Sequence, residues 1–153
     1  MGKNSKRIFM TVLVVLSMMV SALNVSAFSF GKYEKIKANG EVVSIPVARA
    51  AGGKAKFYRF DDGGREIAFF LVKAGDGSYR TAFDACDACY REKKGYEQQD
   101  DKMVCKNCNM KFGTNRIGPH AIGGCNPSYL PSRVSGGNVI INVSDLKAGA
   151  RFF

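Results

Sequence analysis

Four of the five cysteines fall in two pairs, Cys86/Cys89 and Cys105/Cys108, each of the form C-x2-C, with 15 residues between the pairs. Two residues between thiols let both sulfurs of a tight turn point at one centre. Two such turns face to face offer four thiolates in tetrahedral array, the arrangement that binds zinc or an iron–sulfur cluster. The same spacing serves a redox dithiol, and four thiols can also close two disulfides. A bridge inside C-x2-C is short and strained, and a fifth cysteine, Cys125, leaves an odd thiol. Both facts favour a metal centre at Cys86, Cys89, Cys105 and Cys108.

Other candidates stand around these pairs. Cys125 lies in Gly123-Gly124-Cys125-Asn126-Pro127, a turn able to fold back over the site as a fifth ligand, a replacement ligand or a sealing thiol. Met103 and Met110 flank the second pair, and thioether beside thiolate suits copper(I), although core packing is the simpler role. A zinc knuckle usually has glycine just after its second cysteine, whereas Tyr90 and Asn109 follow here. Asp84 and Asp87 are expected to shape the first turn through side-chain hydrogen bonds. Lys102, Lys106 and Lys111 are expected to favour thiolate at the second pair. His120, the only histidine, reads as a solvent-facing loop residue. A lone histidine argues against Cys-His catalysis and against a classical hydrolase. The Gly-rich stretch lacks the lysine and serine spacing of a phosphate loop.

The elements that must position these residues read as strands. Val42–Val47 carries Pro46, which points to a sheet edge. Lys56–Phe60 ends at Asp61-Asp62-Gly63-Gly64, Glu66–Lys73 is apolar enough to lie centrally, and Tyr79–Phe83 runs toward the first pair. Lys102–Cys105 feeds the second pair, and Val139–Val143 closes the chain. Residues 28–40 read as a polar lead-in, partly helical. Short strands with Gly-rich turns and no long amphipathic helix make residues 41–153 a mainly β domain. The expected form is a small antiparallel sandwich or barrel with the metal-binding loops at one tip.

Residues 1–27 have the three-part layout of an export signal: Lys3, Lys6 and Arg7, an apolar run over 8–23, then Val25-Ser26-Ala27. The alternative is an N-terminal membrane anchor. Ser5-Lys6-Arg7-Ile8-Phe9 departs from the twin-arginine signal at Lys6, which favours the general route for unfolded chains. A preassembled cluster could not cross by that route, whereas zinc or copper can be acquired outside. Removing the signal takes away three basic residues and leaves 20 Lys+Arg against 13 Asp+Glu, a net charge of +7. Such a surface suits anionic lipid or an acidic redox partner. Nucleic acid is a poor partner for an exported protein.

The order of strand, ligand pair, hairpin over 95–104, second pair, Gly118 and Leu130-Pro131 before a closing strand resembles the Rieske layout. There, two loops at the tip of a small β-sandwich grip a two-iron cluster. The chain departs from it at Cys89 and Cys108, which stand where histidines are expected. All-thiolate ligation implies a lower potential than a Rieske centre. Over residues 79–131 the chain is more similar to the FtrD-like membrane-associated iron–sulfur proteins. The similarity rests on the two C-x2-C pairs, the Lys-Met-Val-Cys entry and Gly-Gly-Cys-Asn-Pro followed by Tyr129-Leu130-Pro131. The resemblance implies an iron–sulfur cofactor and an electron-transfer or redox-accessory role at the outer face of a bacterial inner membrane. It also implies membrane-bound redox or metal-transport partners in iron uptake. Structural zinc or copper binding and dithiol–disulfide exchange are the competing functions.

Overall fold

The computed structural model describes residues 31–121 and 124–153. The expected export signal lies outside them. The described chain is mainly β, in three sheets. The largest has the order β1-β3-β4-β5-β9, with β1 at Tyr33–Ile36, β3 at Lys56–Asp62, β4 at Arg65–Lys73, β5 at Tyr79–Cys86 and β9 at Pro127–Tyr129. A second sheet joins β2 (Val42–Pro46) to β11 (Asn138–Asn142) and β10 (Arg133–Ser135). The third is β6 (Tyr96–Gln99), β7 (Lys102–Cys105) and β8 (Lys111–Gly113). These sheets stay separate, so no barrel closes.

The sequence of β4 explains the layering. Strand residues alternate faces, and β4 is apolar on both. Ile67, Phe69 and Leu71 enter one core with Val43, Ile45, Val139, Ile141 and Leu146. Phe70 and Val72 enter a second core with Tyr96, Met103, Phe112 and Ile117. β4 is therefore a central strand covered on both sides, as its apolar run requires. The second core contains Cys86 and Cys105, with Cys89 and Cys125 packed against it. Four of the five thiols thus belong to one of the two hydrophobic layers, and Cys108 is exposed.

Several expectations are corrected here. Lead-in residues Tyr33–Ile36 form a strand, not a helix, and it runs parallel to β3 with Tyr33 opposite Phe57. The sheets are otherwise antiparallel. The last strand stops at Asn142, and Val143–Ala148 forms a short helix, α1, whose Leu146 plugs the first core. Residues 118–137, whose glycines and prolines read as turns, contain β9 and β10. Pro46 does sit on an edge, because β2 pairs only with β11. Among the described residues no helix is long and apolar enough to cross a membrane.

Candidate metal centre

Strand β5 runs to Cys86 itself, so the sheet fixes the first sulfur directly. The chain then turns through Asp87 and Ala88, and the Cys89 N–H donates to Cys86 Sγ at 3.2 Å. β7 likewise ends on Cys105. Its turn closes when Asn109 N–H donates to the Cys105 carbonyl at 2.8 Å and Cys105 N–H to the Met110 carbonyl at 3.0 Å. Asn109 has φ of 59°, the left-handed conformation that asparagine tolerates better than most residues. Asn109 therefore fills the role that glycine plays in a zinc knuckle.

The two turns converge. Sulfurs of Cys89, Cys105 and Cys108 lie within 4.8 Å of one another, and so do those of Cys86, Cys89 and Cys125. Cys89 is common to both groups. Cys125 folds back over the pairs, with its sulfur 3.2 Å from that of Cys108 and 3.8 Å from that of Cys89. All five cysteines are free thiols. Three separate chain segments thus bring five sulfurs to one place, a soft donor set suited to iron–sulfur, zinc or copper(I).

Backbone amides tune these sulfurs. Burial works against the Cys86 thiolate, but the N–H groups of Cys89 and Ala88, joined by hydrogen bonds from Tyr96 and Cys125, outweigh it and hold the thiol below its usual pKa. At Cys105 burial wins and pushes the pKa up to about 11. Exposed Cys108 is brought down to about 7, first by the Met110 N–H and then by Cys125. Cys125 moves up, through its hydrogen bond with Cys108 and then burial. N–H groups aimed at sulfur favour bound thiolate and adjust the potential of whatever it holds. The three lysines expected to do this at the second pair are replaced by backbone donors.

A network missed by sequence reasoning holds the turns in register. Asp84, two residues before Cys86, has a side chain 0% exposed. Rather than shaping its own turn, it reaches across to the other hairpin and accepts the Tyr96 N–H at 2.6 Å. Tyr96 pairs directly with Cys105, so one carboxylate ties the two ligand-bearing strands together. Its other oxygen accepts from Lys32 Nζ and from the Tyr33 hydroxyl, both at 2.5 Å. Burial lowers the Lys32 pKa despite the attraction of Asp84. Burial also raises that of Tyr33, and Asp84 adds to the rise.

Tyr96 is also the strut under the third segment, since its hydroxyl donates to the Cys125 carbonyl at 2.5 Å. Cys125 has φ of 68°, a strained setting for a residue with a side chain. Tyr96→Phe keeps the buried ring and removes that bond together with the hydroxyl's hydrogen bond to Cys86. The expected cost is about 1 kcal/mol of stability. Alkylation of Cys125 should become several-fold faster, measured by mass spectrometry of the time course.

The remaining candidates fall outside the site. Met103 is fully buried in the second core, while Met110 is 51% exposed rather than packed. His120 is exposed and joins neither thiol group. Asp87 is exposed, with no side-chain hydrogen bond among the described residues.

A comparison with curated proteins and with solved structures finds no match. Residues 50–153, which carry all five cysteines and nine of the eleven strands, match the family described as membrane iron-sulfur containing protein, FtrD-like, and the chain belongs to that family.

Proposed function

We propose that this chain is an exported iron–sulfur protein that carries electrons for membrane-bound redox or metal-transport proteins. Its setting would be the periplasm or the outer face of a bacterial inner membrane. The observation that carries this reading is the meeting of sulfurs from two C-x2-C turns and a third loop at one place. The ligands in this reading are Cys86, Cys89, Cys105 and Cys108, with Cys125 closing the side on which Cys108 is exposed. A cluster held there supplies a one-electron couple. The chain's own residues supply the rest: N–H groups of Ala88, Cys89 and Met110 stabilise thiolate charge, and Phe70, Tyr96 and Met103 shield the inner side from water. The family description supports the iron–sulfur part of the reading, and the electron-transfer role rests on the rigid, shielded thiol site.

A second reading has one specific observation in its favour. Asn109 gives the second turn the left-handed residue of a zinc knuckle, so the same thiols suit structural zinc. Visible absorption with iron, sulfide, zinc and copper analysis of protein purified anaerobically from its own compartment separates the two. The expected sample is brown, with equimolar iron and acid-labile sulfide. A colourless sample with one zinc or copper per chain would overturn the electron-transfer reading. Metal-free protein with reversible thiol titration would replace it by dithiol exchange.

A further inference from the structure

Beside the thiols lies a cavity of about 460 Å³, the size range of metabolite sites. Cys86, Cys89 and Cys105 are part of its lining. Its two acidic wall residues are already engaged. Asp84 holds Lys32, and Glu66 holds Arg59 at 2.9 Å and Lys35 at 3.7 Å. Three other cations of the lining, Arg65, Lys93 and Lys94, are exposed and have no ion-pair partner among the described residues. Two of these are set by unusual backbone. Arg65 follows Gly64 at φ of 98°, and Lys93 itself has φ of 52°.

The lining is also aromatic. Tyr90 and Phe152 meet edge to face with centroids 5.6 Å apart, and Phe153 lies beside them on the cavity wall. Unpaired guanidinium and ammonium groups select acidic groups, with the arginine able to bind them through two parallel hydrogen bonds. Aromatic faces and edges select a flat apolar body. An inorganic anion would use only the first set, and a neutral ring only the second.

We propose that this cavity binds a small planar organic anion bearing phosphate or carboxylate, held flat against the Tyr90 side with its charge on Arg65, Lys93 and Lys94. The cavity shares Cys86, Cys89 and Cys105 with the thiol centre, but the groups that would hold the anion, Arg65, Lys93 and Lys94, are not among the ligands of the proposed function.

The test uses flavin mononucleotide as the planar dianion and riboflavin as the same ring without phosphate. Both are titrated by fluorescence against the purified protein and against an R65Q/K93Q/K94Q variant. Flavin mononucleotide should bind saturably below millimolar concentration, with riboflavin at least tenfold weaker. The triple variant should lose at least tenfold in affinity for the nucleotide while keeping its metal content and melting temperature. Absence of saturation, equal binding of riboflavin, or an undiminished triple variant would each overturn the proposal. So would displacement of the nucleotide by an equal concentration of inorganic phosphate. Metal is measured on the same samples, so failure of the thiol centre registers separately from failure of the cavity.

Discussion

Asp84→Ala is expected to cost about 3–5 kcal/mol of folding stability and to take most of the bound metal with it. The carboxylate is fully buried and serves three donors at once: Lys32, Tyr33 and the Tyr96 N–H. Removing it leaves a partly buried ammonium without its counter-charge and a buried backbone N–H without an acceptor. Both are among the costly events in a protein interior. Against a total stability of about 5–15 kcal/mol for an ordinary domain, the loss is a large fraction. By contrast Lys35–Glu66, at 3.7 Å with exposed partners, should contribute close to nothing. Urea unfolding and metal analysis of the same preparations check the expectation. Asp84→Asn separates its parts: the amide oxygen can still accept from Tyr96, so register and metal should survive better than in the alanine variant. Equal metal loss in both variants would show that charge, not the cross-link to Tyr96, governs the site.

Gly95→Ala attacks the same junction from the other side. A Cβ at Gly95 would lie 2.7 Å from the Asp84 carboxylate carbon and from both of its oxygens, and the backbone φ there is 65°. Close approach and conformation both require glycine. The hairpin that carries Cys105 can thus sit against the strand that carries Cys86 only because residue 95 has no side chain.

The contrast between Asp84 and the cysteines shows what sequence makes legible. Cysteine spacing is local, and local spacing fixes which sulfurs can share a turn. β-Strands such as β4 and β7 announce themselves by apolar runs and turn residues, so their placement follows. Asp84 looks like a turn former because aspartate beside a turn usually bonds its own backbone. Its actual partners are Tyr96 on the next hairpin and Lys32 and Tyr33, some fifty residues earlier. No local pattern encodes contacts of that range. The same holds for β1: Tyr-Glu-Lys-Ile carries a weak strand signal, and it becomes a strand by pairing with β3. Met110 fails in the opposite direction, since an apolar residue beside a buried turn normally packs. The closing bond from Cys105 N–H to its carbonyl holds the backbone while the side chain faces solvent.

Serine scanning of the five thiols should give unequal losses, and the inequality follows from the sulfur geometry. Serine keeps the approximate size of cysteine but offers a hydroxyl that stays protonated near neutral pH and binds soft metals poorly. Cys89 belongs to both sulfur groups, so Cys89→Ser removes a donor from each and should abolish metal binding. Cys108 is exposed and belongs to one group, and the Cys125 sulfur lies only 3.2 Å from its own. Cys125 already points into the cluster of thiols on a loop held by Tyr96, so a small movement lets it take over. Cys108→Ser should therefore retain at least half of the metal, and Cys125→Ser should retain more. The double variant has no spare donor on that side and should lose nearly all of it. Metal and sulfide analysis on anaerobic samples, with the absorption spectrum of each, reads all four outcomes. If Cys108→Ser alone loses as much as the double variant, Cys125 does not substitute. Its place over the site would then be that of a cover.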